Sequence, residues 1–313
     1  MIKTLWHWGI GFPRRAYTVM ELRTGFATGF PILSTSLFAS YLVGHIDWLR
    51  LVLFFVCGFS FNIVANVANE IRAYLKNEED DTTFTGHLGS EGLVRGDATF
   101  LDAILVLLAW LGLAGLTGLL LVYVTQSLGL FLFGCLGLFG AIGYSLGPKP
   151  YIIYPVSELV SGLLVGFTSS LVAFWLQTNT LNLLAFLYAW ICMVLTVFLM
   201  STNNTGDYNK DLGVRKTLPH VIGFRASILV IIPEFVTVLM AWVSLWLLGI
   251  PTFIFATGLF CFFYDGYVKW LKEYLSIQEV YPEMGRDFGP RPLRLIRSFH
   301  LCMSCLFLSL ILL

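Results

Sequence analysis

Three oxygen-bearing side chains, Asn203, Asp207 and Asp211, stand four residues apart directly after a long apolar stretch. Positions four apart on an α-helix drift by only about 40° per step, so these side chains would form a ladder over two turns of one helix face. Carboxylate and amide oxygens suit Mg²⁺, which binds few protein groups and completes its shell with phosphate oxygens. The spacing therefore predicts a magnesium site that takes a diphosphate-bearing substrate.

A solvated helix end is the simpler explanation for two acids at this spacing. Two neighbours of the ladder favour a ligand site: the apolar span before it and the basic pair Arg215-Lys216 after it. Ionisable groups at the end of a membrane span normally face a cavity or a partner. We therefore expect the stretch 203–216 to be functional.

A second stretch has the same order of apolar helix, Asn-led acidic segment and basic residue. It begins at Asn69 and Glu70, continues through the acids at 78–81, and ends at Arg95. Two such helix ends facing each other would hold two cations with a diphosphate between them. The alternative is that charged residues simply mark cytoplasmic helix ends.

The composition indicates a membrane protein. The 313 residues are 57% hydrophobic and only 12% charged, with a mean hydropathy of +0.80, which is more apolar surface than a soluble domain buries. A transmembrane helix takes roughly 20 apolar residues. On that measure the sequence predicts nine spans, at 22–44, 49–73, 99–123, 127–146, 155–177, 181–205, 222–248, 251–271 and 296–313.

We expect a polytopic all-α membrane protein, a single domain over residues 1–313, whose nine helices form one bundle around a central cavity open to the cytoplasmic side. The acidic segments 66–97 and 203–216 lie on long connections, and long loops on one face of a scaffold are commonly functional. Nothing in the composition suggests a nucleic-acid partner or an obligate protein partner. The lipid bilayer is the expected surrounding.

The net charge of zero conceals an asymmetry. With nine spans, the N-terminus and the even-numbered connections share one side, which collects eighteen of the nineteen basic residues and leaves only Arg50 on the other. Basic residues accumulate on the cytoplasmic side of membrane proteins. We therefore expect a multi-pass protein of the cell membrane with its N-terminus and functional loops in the cytoplasm and its C-terminus outside.

Several polar residues lie within predicted spans. Glu158 lies about one turn into the fifth span and either binds a polar acceptor or pairs with a neighbouring Lys or Arg. Hydrogen bonding between helices, with no chemical role, is the expectation for Asn62 and stays one alternative for Asn66. Glu234 follows Pro233 in the seventh span, and the sequence does not indicate whether it faces a cavity.

Taken together, these stretches resemble the UbiA-type membrane aromatic prenyltransferases, most closely the branch that prenylates 1,4-dihydroxy-2-naphthoate in menaquinone synthesis. The segment 203–219 is similar to the second acidic motif and basic tail of the family, and 144–158 to its aromatic-Gly-Pro-to-Glu segment. The stretch 94–96 is similar to the loop after the first motif. Arg23 heads a stretch like the opening helix, with Thr24 where proline is usual.

The resemblance implies Mg²⁺-dependent transfer of an isoprenyl group from a prenyl diphosphate to an aromatic acceptor. It implies catalytic and metal-binding roles for the two motifs, at Asn203, Asp207, Asp211, Asn69 and Glu70, with Glu79 as a further metal ligand. It also implies a diphosphate-binding set, Arg95, Arg215 and Lys216, and an acceptor-binding set, Arg23, Tyr144, Lys149 and Glu158.

The first motif departs from the family pattern. Asn69 and Glu70 match it, but Ala73 occupies the position of the central Asp and Asn77 that of the next acid. Three interpretations stay open: other acids among Glu70 and residues 78–81 compensate, the substrate is altered, or the enzyme is weakly active.

Other function classes also stay open. A secondary transporter would place polar residues at helix ends too, although transporter sites lie near the membrane midplane. A non-catalytic homologue would explain Ala73. The same chemistry on another acceptor, such as 4-hydroxybenzoate, homogentisate or another phenol, is the third alternative.

Overall fold

Every regular element of the computed structural model, which describes residues 2–78, 91–264, 266–281 and 284–313, is helical. The first half contains α1 Ile2–Met20, α2 Leu22–Val43, α3 Trp48–Lys76, α4 Phe100–Thr125, α5 Leu128–Ser145, α6 Ser157–Ser161 and α7 Ser169–Thr178. The second half contains α8 Leu183–Gly206, α9 Leu218–Ile222, α10 Phe224–Leu229, α11 Ile231–Leu247, α12 Thr252–Tyr264, α13 Tyr267–Ser276, α14 Met284–Phe288 and α15 Pro290–Leu312. The expected all-α class is confirmed.

Two shorter elements complete the list. A 3₁₀ turn, Tyr151–Ile153, precedes α6. A π-helical segment, Gly162–Thr168, joins α6 to α7, so that the three form one continuous rod over Ser157–Thr178.

Eight helical segments among the described residues are long and apolar enough to cross a membrane. They match eight of the nine predicted spans and run over Leu22–Val43, Trp48–Lys76, Phe100–Thr125, Leu128–Ser145, Ser157–Thr178, Leu183–Gly206, Phe224–Leu247 and Pro290–Leu312. The last begins six residues before its predicted start of 296, because Pro290 suits a first helical turn.

The predicted span at 251–271 is not one helix, so the count of nine is not confirmed. The structure divides this stretch into α12, of 13 residues, and α13, with Gly266 between them at φ +69. Glycine adopts this left-handed conformation without steric cost, and it ends the helix. A helix of 13 residues is about 20 Å long, short of the roughly 30 Å hydrocarbon core.

The helices group into two compact units, and each is described by itself. Unit 1 comprises Met1–Phe26 and Val56–Tyr151, and unit 2 comprises Ala27–Phe55 and Ile152–Leu313. The first acidic motif lies in unit 1 and the second in unit 2. The single domain and the central cavity stay predictions.

Unit 1 is built around the C-terminal part of α3, from Val56 onward. Ile63 and Val67 of α3 are fully buried together with Val106 of α4. An ion pair links α1 to the start of α4, with Nε of Arg15 3.0 Å from Oδ2 of Asp102. Asn66 donates a hydrogen bond of 2.6 Å to Thr24, which joins α3 to α2.

Unit 2 is built around α8, which packs against α11, α15 and the π-helical segment. Gly166 permits the closest of these approaches, since a Cβ atom there would lie 2.5 Å from Cα of Met193 and 2.6 Å from the carbonyl oxygen of Cys192. Close contact through small residues is the usual means of packing membrane helices. The contact fixes α8, whose end carries the second motif.

The fold predicts opposite outcomes for one substitution at two helical glycines. Gly166→Ala forces a methyl group into the backbone of α8 and is expected to destabilise the protein by roughly 1–3 kcal/mol. Gly115→Ala places the same methyl group in open space on α4 and is expected to be neutral or slightly stabilising. Thermal unfolding of the two variants in detergent measures the difference, and equal melting temperatures would contradict this packing.

Candidate functional site

The second acidic motif follows the end of α8. The sequence predicts one helix through Asp211, and that prediction is wrong: α8 ends at Gly206 and Asp207 is its C-cap. A Cβ atom at Gly206 would lie 2.9 Å from Cα of Gly285, so the backbone of α14 lies against the end of α8. Asn and Asp are weak helix formers.

The four-residue repeat nevertheless persists in the backbone beyond α8. The N–H of Asp207 donates to the carbonyl of Asn203, that of Asp211 to Asp207 and that of Arg215 to Asp211, each at 2.9 Å. These bonds continue the helical pattern at the ladder positions, while the intervening residues form looser turns. The ladder therefore forms without a regular helix.

Burial increases along the ladder. Asn203 is exposed, Asp207 is half-buried and Asp211 is only 4% exposed. Nε of Arg215 lies 3.8 Å from Oδ1 of Asp211. Burial raises the pKa of Asp211 to about 6, Arg215 opposes the rise, and the neighbouring Asp207 carboxylate adds to it. Two carboxylates in partial desolvation form a place where a divalent cation relieves repulsion.

The donor set of the second motif fits Mg²⁺. It offers two carboxylates and one amide oxygen, all hard ligands, and an exposed side at Asn203 through which phosphate oxygens and water would complete the shell. A carboxylate of this kind would have to be ionised to bind the metal, and the pKa of about 6 for Asp211 permits that at neutral pH.

Glycines of the segment after α13 border this motif, and the sequence analysis missed them. A Cβ atom at Gly285 would lie 3.4 Å from Oδ1 of Asp207, and one at Gly289 would lie 4.0 Å from Oδ1 of Asn203. The backbone of α14 therefore forms one wall of the motif. Two glycines four residues apart were the available signal, but their partners lie about 80 positions away in the sequence.

His220 stabilises the loop that follows the motif, and it too was missed. Its ring stacks on Tyr208 with centroids 4.6 Å apart, and its Nε2 lies 2.9 Å from the Tyr208 carbonyl oxygen. A carbonyl only accepts, so Nε2–H donates and Nδ1 accepts from the Thr217 hydroxyl at 2.8 Å. The loop that carries Asp211 is thereby held at both ends.

The basic tail of the motif has two different environments. Arg215 is half-buried beside Asp211, whereas the side chain of Lys216 is exposed. The backbone N–H of Lys216 donates to the carbonyl of Ile153 at 3.1 Å, which ties the tail to the segment before α6. The ladder and Arg215 therefore come together in unit 2.

Glu158 lies in unit 2, bonded to the residue after Asn203. It is 2% exposed, and its Oε1 accepts from Nδ2 of Asn204 at 2.7 Å. The hydroxyl of Ser157 donates to its Oε2 at 3.1 Å. The sequence left two alternatives for Glu158, binding of a polar acceptor or pairing with a Lys or Arg. These contacts, with Asn204 and Ser157, are not such a pair. The bonds instead fix the rotation of the last turn of α8.

In unit 1, Glu70 accepts hydrogen bonds from the backbone. It is buried, and its two oxygens accept from the N–H groups of Glu91 and Leu93 at 2.9 and 2.8 Å. The first residues after the undescribed stretch are thereby attached to α3. Asn69, one residue earlier, accepts a hydrogen bond of 3.4 Å from Ser145.

Ala73 stands where the family pattern of the first motif has an Asp. Ala73 is buried, and Nη2 of Arg72 forms an ion pair of 2.6 Å with Oε1 of Glu78. Glu78, one of the acids proposed to compensate, is therefore committed to Arg72. Glu79 lies outside the described residues, as do the two acids after it.

The remaining predicted residues lie in unit 1. Nη2 of Arg95 is 3.2 Å from Oδ2 of Asp97. Tyr144 packs edge-on against Tyr151, with ring centroids 5.3 Å apart. Arg23 and Lys149 are exposed. Unit 1 thus holds one predicted diphosphate ligand and three of the four predicted acceptor ligands.

A model of the UbiA prenyltransferase family matches residues 30–281 of the chain. Two curated relatives are 1,4-dihydroxy-2-naphthoate octaprenyltransferases, each 28% identical to this chain. The relative from Bacillus subtilis aligns over 229 residues, 72% of this chain and 69% of its own length. The relative from Escherichia coli aligns over 173 residues, 54% of this chain and 55% of its own length.

Solved structures support the fold. A UbiA homologue from Archaeoglobus fulgidus bound to GPP and Mg²⁺ aligns with a TM-score of 0.61 at 14% identity, over 93% of this chain and 99% of that one. The apo structure of a UbiA homologue from Aeropyrum pernix K1 aligns with a TM-score of 0.66 at 13% identity, over 91% and 98%. At these identities the likeness shows the fold alone.

Glu70→Gln tests the attachment of residues 91–93. The amide keeps one acceptor but turns a donor towards a backbone N–H, so hydrogen–deuterium exchange across 91–98 is expected to accelerate roughly tenfold, as for loss of a bond to a charged group. Mass spectrometry of peptides from this segment measures the rate.

Glu273→Gln is the control, because Glu273 is an exposed side chain of α13 in unit 2. Unchanged exchange over 91–98 in Glu70→Gln would show that these hydrogen bonds do not hold the segment.

Proposed function

Because the chain belongs to the UbiA prenyltransferase family, we propose that it transfers an isoprenyl group from a prenyl diphosphate to 1,4-dihydroxy-2-naphthoate, in menaquinone biosynthesis. The observation that carries this proposal is the ladder of Asn203, Asp207 and Asp211 at the end of an apolar helix, with Arg215 beside it. Both curated relatives carry the name of that activity.

The second motif is the proposed principal metal site. Asp207, Asp211 and Asn203 would hold Mg²⁺, which when bound neutralises charge on the departing diphosphate. In unit 1, Asn69 and Glu79 are the proposed further ligands. Glu70 was predicted with them, but its contacts with the backbone at 91 and 93 favour a positioning role.

Basic side chains would bind the diphosphate directly. Arg215 is placed beside the ladder, and Lys216 extends from the same tail with its ammonium group in solvent. Arg95 is the proposed contribution of unit 1. Guanidinium groups bind phosphate oxygens in two parallel hydrogen bonds, so they both orient the leaving group and stabilise its charge.

The chemistry then proceeds within the apolar interior. The allylic C–O bond breaks, the diphosphate leaves with the bonding electrons, and the electron-rich ring of the acceptor attacks the carbocation. The naphthoate loses its carboxylate as carbon dioxide at the carbon that is alkylated. Arg23 and Lys149 are the proposed ligands of that carboxylate, with Tyr144 and Glu158 beside the ring.

The membrane location follows from the substrate as well as from the chain. A polyprenyl tail partitions into lipid, and eight apolar helices among the described residues provide a multi-pass protein that it can reach from the bilayer. We propose that the loops with the two motifs lie in the cytoplasm, since they carry most of the basic residues.

A weakened version of the same activity is the second candidate. Ala73 replaces an acid of the first motif, and the nearby Glu78 pairs with Arg72. Loss of one metal ligand lowers metal affinity, so a high Mg²⁺ requirement would distinguish this candidate. A secondary transporter is disfavoured by the family match.

Replacing both acids of the ladder tests the proposal. Asp207→Ala combined with Asp211→Ala is expected to reduce turnover at least about 1,000-fold, because the leaving diphosphate loses its charge stabilisation. Purified protein with prenyl diphosphate, Mg²⁺ and 1,4-dihydroxy-2-naphthoate is assayed for pyrophosphate and for the prenylated product by mass spectrometry.

Glu273→Ala provides the matched control, since it removes an exposed carboxylate of the same unit. Equal turnover of the double variant and this control would refute the assignment. Activity on 4-hydroxybenzoate or homogentisate but not on the naphthoate would retain the reaction and change the acceptor.

A further inference from the structure

Four buried polar atoms at the junction of α8, α11 and α13 find no hydrogen-bond partner among the residues that the structure describes. They are Oε2 of Glu234, the hydroxyls of Tyr267 and Tyr274, and Nε1 of Trp270. The three aromatic side chains are 3%, 0% and 4% exposed, respectively. The Tyr274 hydroxyl is also close to the hydroxyls of Thr202 and Thr205 on α8. Folded proteins pair the great majority of such atoms, because an unpaired one loses its hydration without compensation. Four in one region indicate a polar occupant.

The contacts between the helices bring these groups to one place. Oε1 of Glu234 accepts a hydrogen bond of 2.7 Å from Ser201, which joins α11 to α8. The next residue, Phe235, lies with its ring 5.6 Å from that of Tyr267 on α13. Burial raises the pKa of Tyr267, and the Glu234 carboxylate adds to the rise, so the two groups are electrostatic neighbours.

The faces of the three aromatic rings pack against one another, so the groups left for a ligand are the O–H and N–H groups at the ring edges. Tyr267 stacks on Trp270 with centroids 5.3 Å apart, and Trp270 stacks on Tyr274 at 5.0 Å. Phe198 of α8 meets the edge of Trp270 at 5.8 Å. A ligand of this junction would therefore be recognised by hydrogen bonding to the O–H and N–H groups rather than by stacking.

The chemistry of the four atoms selects a neutral ligand. An indole N–H only donates, so it would turn its positive end towards a bound cation. None of the four groups is basic, so none would pair with a bound anion. A hydroxyl group suits all four, since it accepts from Trp270 or a tyrosine and donates to Oε2 of Glu234.

We propose that Glu234, Tyr267, Trp270 and Tyr274 form a buried site for a neutral hydroxyl group. Two sources supply that chemistry. One is buried water, which commonly pairs several interior polar groups. The other is the phenolic hydroxyl of the aromatic acceptor, and this source rests on the proposed function. The site lies on the same turn of α8 as the second motif, since Ser201 precedes Asn203 by two residues.

Removal of single hydroxyl groups tests the site. Tyr267→Phe and Tyr274→Phe delete only the oxygen, and Tyr264→Phe is the control, because Tyr264 is 76% exposed in the same unit. Melting temperature is measured in detergent without substrates. KM is then measured separately for the acceptor and for the prenyl diphosphate.

Occupation by water predicts a fall of about 2–4 °C in melting temperature for both variants, with both KM values unchanged. Occupation by the acceptor predicts a roughly tenfold rise in KM for the acceptor alone. Unchanged or raised melting temperatures with no change in acceptor KM would overturn the proposal, as would a rise confined to the prenyl diphosphate. The melting experiment needs no turnover, so it tests occupation by water even if the proposed activity fails.

Discussion

Two buried carboxylates hold the last turn of α8, and the geometry of the candidate site depends on them. Glu158 accepts from Asn204 and Glu234 accepts from Ser201, each at 2.7 Å. Polar groups within apolar surroundings must be satisfied inside the protein, so these bonds are costly to break. Ser201 and Asn204 are buried, whereas Asn203 beside them is exposed. The position of the second motif at the end of α8 therefore depends on bonds made by its neighbours.

In unit 1, too, acidic side chains hold the backbone in position. Glu70 uses its oxygens to attach the backbone at 91 and 93 to α3, two residues before Arg95. Arg72 pairs with Glu78 beside Ala73. In both places these contacts of the acids hold parts of the protein together.

Much of this architecture was predictable from hydropathy, because a membrane span needs a long apolar run and eight of the predicted runs are such helices. The interruption at Gly266 was not, since one glycine in an apolar stretch does not reveal its backbone angle. The ladder was predictable from its spacing. The end of α8 at Gly206 was not, because a spacing of four residues does not show where the regular helix stops.

Roles within the site divided in the same way. Residue type and spacing identified Asp207 and Asp211, whereas the partners of Glu70 and Glu158 required the folded chain. The sequence analysis missed His220, because a single histidine in a loop forms no recognisable motif. Its role depends on contacts with Tyr208 and Thr217. The sequence therefore supplied the candidate residues, and the folded chain showed which polar groups bond to the protein itself.

Electron paramagnetic resonance of bound Mn²⁺, used in place of Mg²⁺, tests the central claim most directly. The protein is mixed with Mn²⁺ and an unreactive prenyl thiodiphosphate, and the coupling of the metal to ³¹P is recorded. The account predicts tight Mn²⁺ binding with phosphorus coupling, which is lost in Asp207→Asn combined with Asp211→Asn. Undiminished binding and coupling in that variant would contradict it.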